Sequence, residues 1–327
     1  MSGARIAGIG TAVPAGSLSS AELEESLGLE PGWIVARTGI ESRRIAAPAE
    51  TAATLGTAAA LNAVGAAGIE PADVDYVVVA TSTPDFTLPA TASLLQAALG
   101  CDGGAFDLNA GCSGFLVGLA QADALVRSGA ARTVLVAGVD LMSRITDYTD
   151  PKTGILFGDG AGAAVVSAAP VPELGPFVLH SDGSRPELLK VPRKGTISMS
   201  GREVYRRAVD EMSSAVAEAA AAGGTNVEDV DLVVAHQANG RILAAVADRL
   251  GVERDRVFSN IARYGNTSAA SIPLALEEAA AAGVLDDGDL IVVTAFGAGF
   301  VWGAGLARWS APRGPAATPV AVGAAVV

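Results

Sequence analysis

DVDYVVVA at residues 73–80 and DVDLVVA at residues 229–235 are nearly the same phrase, written once in each half of a 327-residue chain. Each is a short Val-rich apolar run, the mark of a strand buried on both faces. Their surroundings repeat as well. An Ala-rich helical stretch and a Gly turn precede each run, TAATLGTAAALNAVGAAGIEP (51–71) in one case and EMSSAVAEAAAAGGTNVE (211–228) in the other. A second helix follows each and ends in Leu-Gly, at Leu99-Gly100 and Leu250-Gly251. The first half then continues as a strand (AFDLNA, 105–110), a helix (113–129) and a strand (RTVLVAGVD, 132–140). The second continues as a short extended piece (RVFSNI, 256–261), a helix (268–283) and a strand (DLIVVTAFGAG, 289–299).

Alternating helices and strands with short connections predict an α/β layered fold. The repetition predicts two copies of one unit, at 1–170 and 171–313, followed by a loose, flexible tail at 314–327. Both later helices are apolar on nearly all sides, so they belong in the middle of the molecule. The expected architecture is five-layered, α-β-α-β-α, with two central helices between two sheets. Two unrelated α/β domains would leave the matched order of elements unexplained.

Half of the residues are hydrophobic and 17% are charged, which suits a large core and argues against disorder. A net charge of −13 argues against nucleic acid as a partner, since a phosphate backbone demands a basic footprint. Lys is scarce (Lys152, Lys190 and Lys194), so Arg carries the positive charge, and Arg suits flat contact with phosphate and carboxylate. Two cysteines, Cys101 and Cys112, without nearby His suggest neither a disulfide framework nor a metal site. The start MSGARIAGIG does not read as a signal peptide and no stretch reads as a membrane span, so no membrane partner and a cytoplasmic location are expected.

Three residues invite a chemical reading. Cys112, in NAGCSGF (109–115), stands between a strand and the first buried helix, where backbone N–H groups and the helix dipole favour a thiolate; a free Cys is also commonly a small buried hydrophobe. His236 ends the apolar run before HQAN, and strand ends opening into loops often carry catalytic groups, although a His in the core satisfied by backbone is as ordinary. Asn266 opens the second buried helix, where an N-cap is the plain reading. It nonetheless occupies the place in its half that Cys112 occupies in the other, so packing about a pseudo-twofold brings both to one pocket. The glycine-rich stretch around 157–163 lacks the Lys-Ser/Thr of a phosphate loop and reads as a tight turn into a strand. The opening Gly8-Ile9-Gly10 is a truncated dinucleotide fingerprint, so no nucleotide cofactor is expected.

Taken together, GWIVARTGIESRRIA (32–46), NAGCSGF, LFGDGAGAAVV (156–166), SGREVYRRAV (200–209), HQANGRI (236–242), RYGNTSAASIPLAL (263–276) and AFGAGFVWG (295–303) resemble the ketoacyl-acyl-carrier-protein synthase III family of the thiolase-like superfamily, over nearly the whole chain to about 308. The resemblance implies the thiolase-like fold and a decarboxylating condensation that needs no cofactor. An acyl group from acyl-CoA would load onto Cys112 and then join malonyl-acyl carrier protein, giving a 3-oxoacyl product, in fatty-acid initiation or polyketide starter-unit synthesis. By position it implies His236 and Asn266 as holders of the malonyl thioester carbonyl, and the N–H groups of Cys112 and Ala298 as the oxyanion hole. Trp33, Arg37, Gly201 and Asn239 would contact CoA and its pantetheine. Arg206, Arg241 and Arg249 would dock an acidic acyl carrier protein. A homodimer is implied, with Phe86, Thr87 and Leu88 reaching the acyl pocket of the neighbouring subunit. The chain departs from the family pattern at Pro151 and Lys152, where an Arg often completes the adenine clamp, and at Asp248-Arg249, where two basic residues are common. The alternative is a related acyltransferase that moves the acyl group to an alcohol or amine without decarboxylation; the intact Asn266 speaks against it. A degradative thiolase would carry a second Cys in AFGAGFVWG, and a non-catalytic partner would lack Cys112 or His236.

Overall fold

The computed structural model of the chain describes residues 3–310. The expected tail at 314–327 lies outside the described residues. The first sheet runs in the order β1-β7-β6-β4-β5, from β1 (Gly3–Ala12), β4 (Tyr76–Ala80), β5 (Gly104–Leu108), β6 (Thr133–Leu141) and β7 (Asp159–Ala169). The second runs β11-β12-β13-β8, from β8 (Leu174–Ser181), β11 (Leu232–Ala235), β12 (Leu290–Gly297) and β13 (Val301–Arg308). The two Val-rich runs that open the sequence argument are β4 and β11, and each pairs in parallel with a neighbour, β4 with β5 and β6, and β11 with β12.

Period-2 alternation along these strands loads two layers at once. Val78 of β4 faces inward, against Phe115, Leu116 and Leu119 of α5 (Gly114–Arg127) and Ile272, Ala275 and Leu276 of α9 (Ser271–Ala281). Val77 and Val79 face outward, with Leu55, Ala59 and Ala63 of α3 (Ala52–Ala67) and Leu95 of α4 (Thr91–Leu99). On the other side, Val234 and Val293 join the central core. Val233 and Val292 pack with Val216 and Ala219 of α6 (Gly201–Ala222) and Leu243 of α7 (Gly240–Leu250). The result is the five-layered α-β-α-β-α arrangement. Full burial of each such Val or Leu side chain contributes about 1.5–3 kcal/mol. Smaller pieces decorate the second sheet's side: paired β2 (Ser17–Ser19) and β3 (Ser42–Arg44), α1 (Ser20–Leu27), α2 (Trp33–Thr38), paired β9 (Leu189–Lys190) and β10 (Ser198–Met199), and α8 (Ile261–Tyr264).

Two expectations change. The glycine-rich stretch at 157–163 is not a turn: β7 begins at Asp159 and runs through it. Its glycines let a helix lie on the strand, because a Cβ on Gly162 would stand 2.7 Å from the Pro273 side chain of α9. Gly8 and Gly10 serve α3 in the same way, since a Cβ on Gly10 would meet Ala63 N at 2.2 Å. The second change concerns 256–261, which makes a single bridge, Val233 to Val257, so the second sheet has four strands where the first has five. A 3-10 turn at Arg254–Arg256 and the short α8 use up the chain there.

Candidate active site

Three element ends converge on a cavity of about 500 Å³ between the halves, and Cys112, His236 and Asn266 all line it. Cys112 precedes α5 by two residues. Gly111 before it is in the left-handed region, φ 54°, and a Cβ there would meet Ala298 N at 3.0 Å. Across from it, a Cβ on Gly297 would stand 2.9 Å from Cys112 N. Glycine at both points therefore lets the end of β12 close directly on the cysteine, which brings the Ala298 backbone beside the Cys112 N–H.

Burial pushes the Cys112 thiol pKa up to about 11, and the nearby Asp140 carboxyl adds to the rise. Cys101, the other cysteine, is buried away from the cavity, with its thiol on Gln96 O.

His236 follows β11 and is 2% exposed. Its backbone N–H donates to Thr294 O at 2.8 Å, and the ring Nδ1 lies 2.7 Å from Ser271 Oγ at the start of α9. Burial pushes its pKa down to about 3. Asn266 is not the cap of α9, which begins five residues later after a 3-10 turn at Ser268–Ala270. Its backbone is pinned on both sides: N–H to Leu156 O at 2.9 Å, and O from Gly158 N at 3.0 Å. Its Oδ1 accepts from Ser268 N at 2.9 Å, which leaves the side-chain NH2 as the group to face the cavity. A neutral imidazole and an amide thus offer two N–H donors to one space, beside a thiol.

The mouth is built around Trp33. Both oxygens of the buried Glu24 carboxylate hold its helix start, from Gly32 N at 2.8 Å and Ile34 N at 2.7 Å. The Arg37 guanidinium lies 3.9 Å from the Trp33 ring centroid. Asn239 caps α7 through Arg241 N at 2.8 Å and donates to Arg37 O at 3.3 Å. Trp33, Arg37, Asn239, Gly201, Arg241, Pro151 and Lys152 all line the cavity. Arg206 and Arg249 do not, and each is ion-paired, with Glu203 at 2.9 Å and Asp210 at 3.3 Å. Phe86, Thr87 and Leu88 lie exposed and outside the cavity of their own chain, Leu88 at 84% exposure. Reasoning from sequence missed Asp140, Ser268 and Ser271. A carboxylate closing the apolar run RTVLVAGVD is the one signal that pointed to any of them.

Comparison with known proteins agrees with this geometry. Residues 106–183 match the family model for 3-oxoacyl-[acyl-carrier-protein] synthase III, and residues 220–309 match the model for its C-terminal part. The chain is similar to the beta-ketoacyl-[acyl-carrier-protein] synthase III of Novosphingobium aromaticivorans, 46% identical over 318 residues, which are 93% of this chain and 98% of the relative. That of Rhodospirillum rubrum is 47% identical over 318 residues, with the same coverage. Among solved structures, 3-oxoacyl-[acyl-carrier-protein] synthase III from Aquifex aeolicus superposes with a TM-score of 0.91 at 42% identity, covering 94% of this chain and 100% of its own. A priming beta-ketosynthase from a polyketide biosynthetic pathway gives 0.90 at 38% identity, covering 95% and 97%.

Proposed function

The chain belongs to the 3-oxoacyl-[acyl-carrier-protein] synthase III family, and from that premise we propose that Cys112, His236 and Asn266 carry its reaction. The protein is an acyl-transferring condensing enzyme, joining an acyl group from acyl-CoA to malonyl-acyl carrier protein with loss of CO2. The observation that carries the residue assignment is the meeting of one thiol and two N–H donors in one cavity. Covalent capture on Cys112 divides the condensation into two easier steps. His236 Nε2–H and the Asn266 amide then hold the malonyl thioester oxygen as decarboxylation puts charge on it. Donors so aimed, away from water, contribute roughly 3–4 kcal/mol each. The N–H groups of Cys112 and Ala298 serve the same purpose for the acyl carbonyl.

Trp33, Arg37, Gly201 and Asn239 receive CoA and pantetheine, which their shared place at the cavity supports. Arg241, with Arg206 and Arg249 further out, receives an acidic carrier. The halves 1–170 and 171–313 are two copies of one unit, a reading supported by the membership of the sheets, whose strands come from Gly3–Ala169 and Leu174–Arg308 respectively. The enzyme works as a homodimer in which Phe86, Thr87 and Leu88 complete the partner's acyl pocket. Two exposures support this: Phe86 is 56% exposed, and Phe106 is 38% exposed on β5, the edge strand of its sheet. Among the described residues no helix is long and apolar enough to cross a membrane, and we assign the enzyme to the cytoplasm. Intact-mass analysis after incubation with a panel of acyl-CoAs tests the assignment. An acyl adduct mapped to Cys112 is expected; an adduct on Cys101, or none, overturns it.

A further inference from the structure

The stretch 32–46 carries Trp33 and Arg37 at the mouth, and after them a guanidinium that the catalytic reading leaves unused: Arg43, on β3, is fully buried. Its partners are three oxygens, none of them a carboxylate. Nη2 donates to Ile155 O at 2.7 Å, and Nη1 to Leu18 O at 3.2 Å and Ser20 Oγ at 3.4 Å. Nε has no hydrogen-bond partner among the described residues. Burying a charge on such terms is costly. An apolar side chain of the same length would fill the space without that cost, so what the chain keeps at 43 is the reach of a planar fork to several oxygens at once.

What the fork reaches is the frame of Asn266. Phe157 and Asn266 form a short bridge, closed by Asn266 N–H onto Leu156 O at 2.9 Å and Gly158 N–H onto Asn266 O at 3.0 Å. Arg43 grips the first of these two strands one residue upstream, at Ile155 O. Its Cβ packs against both strands, since a Cβ on Gly158 would stand 2.8 Å from it and one on Gly265 3.3 Å. The two residues before Arg43 hold the other strand. Glu41 N–H donates to Ala262 O at 2.9 Å, and Ser42 Oγ donates to Arg263 O at 3.1 Å. Three consecutive residues, 41–43, thus tie together the two strands whose pairing aims Asn266 into the cavity.

We propose that Arg43, with Ser42 beside it, is a positioning residue for Asn266, an inference that rests on Asn266 being a donor to the malonyl thioester oxygen. Arg43 touches no substrate. It fixes the paired strands, and the strands fix where the amide NH2 points. That amide meets the charge which loss of CO2 puts on the thioester oxygen, and a donor set off its aim loses much of its effect. Cys112 and His236 are carried by other elements, the start of α5 and the end of β11. Transfer of the acyl group to Cys112 is therefore indifferent to Arg43, and decarboxylation is not.

The test uses Arg43→Lys, which keeps the charge and loses the fork, and Ser42→Ala, which removes one tie to the other strand and leaves the buried guanidinium in place. Ser42→Ala decides the matter if residue 43 tolerates no change. Single-turnover release of CoA from acyl-CoA and of CO2 from malonyl carrier protein are measured on each. Both rates are referred to the amount of Cys112 that intact mass shows acylated, so that loss of folded protein cancels. CO2 release should slow about tenfold in Arg43→Lys and about threefold in Ser42→Ala, with CoA release within about twofold of the wild type. A merely structural role would lower both rates by one factor or neither. On an Asn266→Ala background, Arg43→Lys should slow CO2 release no further, because two changes that act through one group do not add. Equal losses in both half-reactions, wild-type CO2 release in both variants, or full additivity with Asn266→Ala overturns the positioning role. An Asn266→Ala variant that releases CO2 at the wild-type rate overturns instead the assignment of Asn266, and that single variant separates the two failures.

Discussion

Ser271 Oγ lies 2.7 Å from His236 Nδ1 and also takes a long hydrogen bond, 3.4 Å, from Gln237 N. A hydroxyl that accepts from Gln237 N–H has its own proton to give to Nδ1. That arrangement places the imidazole proton on Nε2, the nitrogen left for the cavity. Ser271→Ala should therefore slow CO2 release from malonyl carrier protein by roughly tenfold, the worth of about 1.4 kcal/mol of hydrogen bonding. Acylation of Cys112 should change much less. Rates of CoA release and CO2 release, measured separately, check the split; equal loss of both steps would contradict it.

Removing either donor extends the same reasoning. His236→Ala and Asn266→Ala should each stop most decarboxylation yet leave measurable acyl transfer to Cys112, because the donors answer charge that develops only in the second half-reaction. Cys112→Ala should abolish the acyl adduct while Cys101 remains intact.

The buried imidazole also sets a pH dependence of stability. Its pKa falls from 6.5 to about 3 on folding, with burial as the cause. Below 6.5 the unfolded chain binds a proton that the folded chain refuses until about 3, so this group's contribution to stability is complete above 6.5 and is lost as pH falls toward 3. The slope of melting temperature against pH over this window should be shallower in His236→Gln than in the wild type. Identical slopes would mean that the imidazole titrates freely in the fold.

Packing supplies a fourth prediction. α3 rests on β1 with no room for a side chain at Gly10, where a Cβ would lie 2.2 Å from Ala63 N, a backbone atom that cannot turn aside. Gly10→Ala should destabilise the fold by about 1–3 kcal/mol, as overpacking does, without a large effect on acylation by the protein that remains folded. Denaturant midpoints and single-turnover rates read the two separately.

These cases also mark what the sequence could tell. The Val-rich strands and apolar helices were legible because burial on both faces leaves a periodic trace, and Val77–Val79 and Val233–Val234 are the buried runs of the parallel-paired β4 and β11. Gly160 and Gly162 were misread because glycine serves a turn and a crowded strand equally, and only Pro273 and Leu274 of α9, more than a hundred residues on, decide between them. Cys112, His236 and Asn266 were legible as motif residues. Ser271 was not, since a serine's role lies in which partner its hydroxyl meets, and that partner, His236, comes from the end of a distant strand.

The last prediction concerns the carrier protein, where the structure narrows what the run of arginines suggested. A basic rim steers an acidic helix only if its charges are free to act. Arg206 is engaged by Glu203, Arg249 by Asp210, Arg254 by Asp248 at 2.9 Å, and Arg207 by Glu211 at 3.0 Å and by Asp182. Each of these would have to leave its acid to meet a carrier carboxylate, trading one ion pair for another in contact with solvent, so exchange is feasible but gains little. Arg241 differs on both counts: it has no ion pair among the described residues, and it stands at the cavity itself. Arg241→Glu should therefore raise the KM for malonyl carrier more than Arg206→Glu or Arg249→Glu, with a much smaller change in acylation by acyl-CoA. The three effects should shrink together as salt rises, because exposed charges are screened beyond about 10 Å at roughly 0.1 M. Steady-state kinetics at low and high salt read this directly. If Arg241→Glu leaves carrier kinetics unchanged at low salt, the mouth beside α7 is not where the carrier docks.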